Sequence, residues 1–88
     1  MDAYSGGETK AHERNDGQLM LLLTIEIEEE ADGRWIAEVT QLPGVMVYGQ
    51  TPDDAVRKVK SLALQVLAER VATEEFALDA VSFTRSAA

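Results

Sequence analysis

The chain has 88 residues, no cysteine and sixteen Asp and Glu against eight Lys and Arg, a net charge of −8. That length holds one small domain, and the missing cysteines exclude a disulfide framework and a thiolate metal site. The charge argues against direct binding to a phosphate backbone, which relies on Lys and Arg to displace counterions. A hydrophobic share of 45% supports only a modest core, so oligomerisation is an expected extra source of stability in so small a domain.

Residues 1–18 are polar, contain glycine and show no periodicity. They read as a flexible polar tail ahead of a domain over residues 19–88. The tail has no apolar h-region of a secretory signal, and no stretch of the chain reaches the roughly 18–20 apolar residues of a membrane span. A cytoplasmic protein with no membrane partner is expected. His12, the lone histidine, sits in this tail with nothing to fix its geometry as a base.

A first strand is predicted over Met20–Glu29, with Leu21, Leu23, Ile25 and Ile27 on one face and Leu22, Thr24, Glu26 and Glu28 on the other. After the polar turn Glu28-Glu29-Glu30-Ala31-Asp32-Gly33, a second strand runs over Arg34–Thr40. Trp35, Ala37 and Val39 alternate there with Ile36, Glu38 and Thr40. Leu42-Pro43-Gly44 redirects the chain, because proline fixes φ and glycine accepts φ > 0. A third strand follows at Val45–Tyr48. Short connections make the three an antiparallel meander.

Thr51 is a helix N-cap, Pro52 suits the first helical position, and Asp53 and Asp54 place negative charge in the first turn. The predicted helix reaches about Val71. Ala55, Val56, Val59, Leu62, Ala63, Val66 and Leu67 form one apolar stripe, with Leu64 and Val71 at its margin. Arg57, Lys58 and Lys60 are flanked by Asp53, Asp54 and Glu69, which favours a charge network within the helix over RNA binding. Ala80–Thr84 alternates as a last strand. The fold class is α+β, a βββαβ two-layer domain with the helix as crossover if the last strand runs parallel to the first. Trp35 is expected to anchor the core beneath the helix.

The sheet face away from the helix would carry Leu22, Ile36, Met46 and Tyr48 among Thr24, Glu26, Glu38 and Thr40. A half-apolar open face invites self-association, so those four apolar residues are the expected oligomer interface. The acids of the first turn and of this strand face, Glu26, Glu28, Glu29, Glu30 and Glu38, are the expected contact for a basic protein partner.

The ordered set Asp32-Gly33, Trp35-x-Ala37-x-Val39, Leu42-Pro43-Gly44, Val45-x-Val47-x-Gly49-x-Thr51 and Asp53-Asp54-Ala55 resembles the HicB-like antitoxin family of bacteria and archaea. The resemblance covers roughly residues 20 to 70. Thr40 stands where a proline is frequent, and Asp53-Asp54 replace the usual Glu-Glu. It implies a partial ribonuclease-H-like fold and a non-enzymatic role without a cofactor, in which the protein masks a small basic HicA-type toxin, an mRNA interferase. Many members also carry a carboxy-terminal DNA-binding segment. The residues after Val71 show no second helical pattern and only Arg85 as a base, so no direct nucleic-acid contact is expected.

Two other readings stay open. One is an orphan homo-oligomeric module of the same fold without a toxin. The other is a metal-dependent nuclease on a reduced ribonuclease-H-like core, which needs several acids, here Glu26, Glu28, Glu38 and Asp79, converging on one place. A solvated acidic face is the plainer account of those carboxylates.

Overall fold

The computed structural model describes residues 11–13, 19–73 and 77–87. Its elements are β1 (Ala11–Glu13), β2 (Leu19–Glu29), β3 (Trp35–Val39), β4 (Met46–Gly49), α1 (Pro52–Ala72) and β5 (Ala80–Ala87). The class is α+β: a mixed sheet with one helix on one face.

β2 is the central strand. It pairs in parallel with β5 along Met20–Ile27, which fills one edge. On its other edge β3 pairs antiparallel with Ile25–Glu29, and β1 pairs antiparallel with Leu19–Leu21. β4 pairs with the far side of β3. The main order is therefore β5-β2-β3-β4, with β1 extending the β2 edge beyond β3.

β1 corrects the expectation of a tail throughout residues 1–18. Three residues are too few for alternation to register, and pairing with β2 is made by main-chain groups that any sequence carries. The remainder of that tail lies outside the described residues.

Both turns of the meander follow from local chemistry. Glu30 N–H donates to Arg34 O at 2.7 Å and Gly33 N–H to Glu30 O at 2.9 Å, with Gly33 at φ 91°. This is a three-residue hairpin loop that ends on a left-handed glycine. At the second turn Val45 N–H donates to Leu42 O at 3.0 Å, with Pro43 and Gly44 (φ 86°) between them. Proline before a positive-φ residue is the signature of a type II turn.

Where β3 ends, the Gln41 side chain takes over the ladder. Its Oε1 accepts from Thr24 N–H at 2.9 Å, and its Nε2 donates to Thr24 Oγ1 at 3.1 Å. Nothing in the strand pattern marks Gln41, because the need arises only from the early departure of the neighbouring strand.

The core is the odd-numbered face of β2 and β3 against the helix stripe. Leu23, Ile25, Ala37 and Val39 meet Ala55, Val56, Val59, Ala63 and Leu67, and Leu42 and Val45 close one end. Leu62 and Val66 are partly buried at its rim. Trp35 is half-buried against this cluster, so it flanks the core instead of anchoring its centre. Among the described residues no helix is long and apolar enough to cross a membrane.

The helix starts as its sequence dictates. Thr51 Oγ1 accepts from Asp54 N–H at 3.0 Å, and Asp54 Oδ2 accepts from Gln50 N–H at 3.1 Å. Arg57 and Lys58 then pair with the Asp54 carboxylate at 2.7 and 3.2 Å. The Gln50 N–H, followed by Lys58 and Arg57, holds the Asp54 carboxyl below its ordinary value. A depressed folded-state value contributes stability above the unfolded value and loses it as pH falls through the folded one. Asp54→Asn is therefore expected to be less stable than the parent at pH 7. The difference should shrink below about pH 4, where the carboxylates protonate. Urea midpoints at pH 7 and pH 3 check this; an equal deficit at both would rule out a role for the charge.

Candidate functional site

Four layers of cross-strand neighbours define the face of the sheet opposite the helix. Glu28 lies across from Ile36, which lies across from Tyr48. One step along the strands, Glu26 lies across from Glu38, and Glu38 across from Met46. Towards the start of β2, Thr24 faces Thr84 and Leu22 faces Ser82. Met46, Tyr48 and Leu22 are 50%, 43% and 38% exposed. The face is thus graded, from an apolar margin on β4 through a carboxylate band on β3 and β2 to hydroxyls on β5.

The direct pairing of Glu26 with Glu38 costs stability, because like charges across an antiparallel pair repel. Among the described residues neither acid, nor Glu28, is paired with a Lys or Arg. The nearest base by position is Arg34, at the end of the Tyr48–Ile36 layer. Its guanidinium lies 4.1 Å from the centroid of the Tyr48 ring, a stacking that orients both groups. It also pairs with Asp32 at 2.8 Å. The Arg34 N–H and guanidinium together hold the Asp32 carboxyl below its ordinary value.

Not all five acids expected to contact a partner share this surface. Glu26, Glu28 and Glu38 do. Glu29 pairs with Trp35, on the helix side of the sheet, and Glu30 lies in the hairpin loop. The separation follows from the two-residue period of a strand, which puts consecutive acids on opposite faces. The four apolar residues expected at an oligomer interface, Leu22, Ile36, Met46 and Tyr48, do lie on the outer face. Leu22 is separated from the other three by the Thr24 layer.

The four acids that a nuclease reading requires are not brought together. Asp79 is used at the start of β5: its Oδ2 accepts from Leu19 N–H at 2.8 Å while its N–H donates to Leu19 O at 3.0 Å. Glu26 is seven residues further along β2, roughly 23 Å at the rise of a strand. Among the described residues no group of three or more potential ligands is placed to hold a metal ion.

The basic cluster Arg57, Lys58 and Lys60 of the helix is also accounted for. Arg57 and Lys58 serve Asp54, and Lys60 lies 5.7 Å from the centroid of the Phe83 ring on β5. They do not form a basic surface of their own. Compared with protein-family models, curated proteins and solved structures, the chain finds no significant match.

Proposed function

We propose that this chain is a non-enzymatic, HicB-like antitoxin module on a partial ribonuclease-H-like βββαβ domain, acting in the cytoplasm by masking a small basic toxin of the HicA type. The observation that carries the proposal is the Glu26–Glu38 pair, with Glu28 beside it, on an uncovered sheet face next to exposed Met46 and Tyr48. Like charges placed opposite each other lower the stability of the free protein, and a basic partner relieves exactly that cost. Charge complementarity of this kind accelerates encounter and selects the partner. Met46 and Tyr48 supply the apolar area that a charged band lacks. The motif resemblance supplies the identity of the partner class.

The orphan homo-oligomer is the second reading, favoured by the exposure of Leu22, Met46 and Tyr48 on that same face. The two are separated by purifying the tagged chain from its native cytoplasm at low and high salt. A small basic protein retained at low salt and released at high salt supports masking. Recovery of this chain alone at both salts supports the orphan.

The charge pair makes a second test. Glu38→Gln should stabilise the isolated protein by a few tenths of a kcal/mol to about 1 kcal/mol, the worth of a cross-strand pair, and slow association with the basic partner. A denaturation midpoint that falls on substitution would mean that Glu38 is part of the fold's own bonding and not held for a partner.

A further inference from the structure

β5 is an edge strand among the described residues, with β2 as its one partner. Which of its main-chain groups are free follows from β2. Thr24 turns its C=O to Thr40 N–H and its N–H to Gln41, so the even residues of β2 bond towards β3 and the odd ones towards β5. A strand in parallel pairing bonds to the residues that flank its partner. With Met20 beside Ala80 and Leu22 beside Ser82, β5 is held through Ala80, Ser82, Thr84 and Ser86. The N–H and C=O groups of Val81, Phe83 and Arg85 therefore point to the open edge.

Long unprotected edges are rare in natural sheets, which blunt them with proline, lysine or brevity. β5 has eight residues and no proline, lysine or carboxylate. The helix lies chiefly over β2, β3 and β4, and Val81 and Phe83 of β5 are only partly buried against the edge of the core. Asp53 and Lys60 reach down to β5, the first to Arg85 at 3.3 Å and the second to Phe83. Leu64 and Val71 follow Asp53 by eleven and eighteen residues, so they share that flank of the helix. They are 48% and 40% exposed. Among the described residues, apolar surface left exposed on the helix side thus gathers beside β5.

The segment Asp79-Ala80-Val81-Ser82-Phe83-Thr84-Arg85 is complementary to its own reverse. We propose that two copies of the chain pair antiparallel through β5 about a two-fold axis at Ser82, forming one continuous sheet. In that register Val81 faces the partner's Phe83 and Phe83 the partner's Val81, and they exchange the free main-chain bonds. Aromatic and β-branched residues are a favourable cross-strand combination. Asp79 falls opposite the partner's Arg85, each already engaged within its own copy by Leu19 N–H and by Asp53, and their opposite charges leave the strip neutral in a chain of net charge −8. Ala80 faces the partner's Thr84 on the outer face. A shift of one residue per strand towards Phe83 would instead set Val81 against the partner's Arg85 and leave Asp79 against the partner's Ala87. The axis at Ser82 leaves the outer face of Glu26, Glu28 and Glu38 free in both copies. Self-association and partner masking therefore do not compete, and the dimer stands or falls independently of the toxin reading.

The native chain has no cysteine, so single substitutions report the register. The Ser82 pair sits at a non-hydrogen-bonded position, where Cα atoms are about 4.5 Å apart, within disulfide range. Thr84 and its symmetry mate are about 13 Å apart, four residues along the strand. The full-length protein is expected to sediment as a dimer, twice 9.6 kDa. Mild oxidation should link Ser82→Cys nearly completely and Thr84→Cys hardly at all. Val81→Pro, which blocks the open edge without touching a bond to β2, should sediment as a folded monomer by circular dichroism. A monomeric parent at 100 µM (roughly the upper range for testing weak dimers) overturns the proposal, as does equal linking of the two cysteine variants. Should Val81→Pro fail to fold, the cysteine pair still decides.

Discussion

Gly49→Ala is expected to lower the stability of the protein by about 3 kcal/mol or more, at or beyond the upper end of ordinary overpacking. A Cβ at this buried position would lie 2.7 Å from Ala55 Cα and 2.9 Å from Ala55 Cβ, and closer still to the Ala55 backbone nitrogen. That nitrogen donates to Thr51 O at 3.0 Å in the first turn of α1. The obstruction is backbone, so no rotamer change relieves it; α1 has to move away from β4. The informative comparison is Gly44→Ala. Gly44 has φ 86° and nothing within 4 Å of its Cβ position, so its cost is conformational, about 1–2 kcal/mol. Urea denaturation should rank Gly49→Ala as clearly the worse of the two. The reverse order would mean that the helix does not approach β4 this closely.

Leu23→Ala should cost about 3 kcal/mol, within the usual range for a buried leucine. Leu23 is fully buried on the central strand. Domains of this size have only about 4–13 kcal/mol in total, so the loss removes a large part of it. The melting temperature should fall by roughly 15 °C. Its neighbour Leu22 is 38% exposed on the other face, and Leu22→Ala should fall within about 0.5 kcal/mol of the parent. Thermal scans of the two variants test the register of β2 directly. Comparable losses at 22 and 23 would show that the strand does not present one face to the core.

The secondary structure was legible because its signals are local. Alternation over Met20–Glu29 found β2 to within one residue, and the Thr51-Pro52-Asp53-Asp54 start placed the helix at Pro52. The helix stripe picked out the buried residues, since a 3.6-residue period leaves one side for the sheet. The alternation of β2, β3 and β4 also put Glu26, Glu28 and Glu38 together with Ile36, Met46 and Tyr48 on the outer face.

Other features were illegible because they depend on what lies next to a residue in space. Gly49 was only the residue after the predicted third strand, yet its value is the room it leaves for Ala55. Asp79 was a candidate ligand, yet it ties the starts of β2 and β5 together. Gln41 had no pattern at all, and Glu29, read as part of the turn, pairs with Trp35 at the end of β2.

By itself, then, the order of apolar and polar residues determined the strands, the helix and which side chains share a face, because those depend on backbone periods of two and 3.6 residues. Only the tertiary structure decided that Glu26 stands directly against Glu38, that α1 is centred over β2, β3 and β4, and that β5 is an open edge among the described residues. Those relations are set by register and by the placement of one element on another, which are distances between residues far apart in the chain and have no local signature.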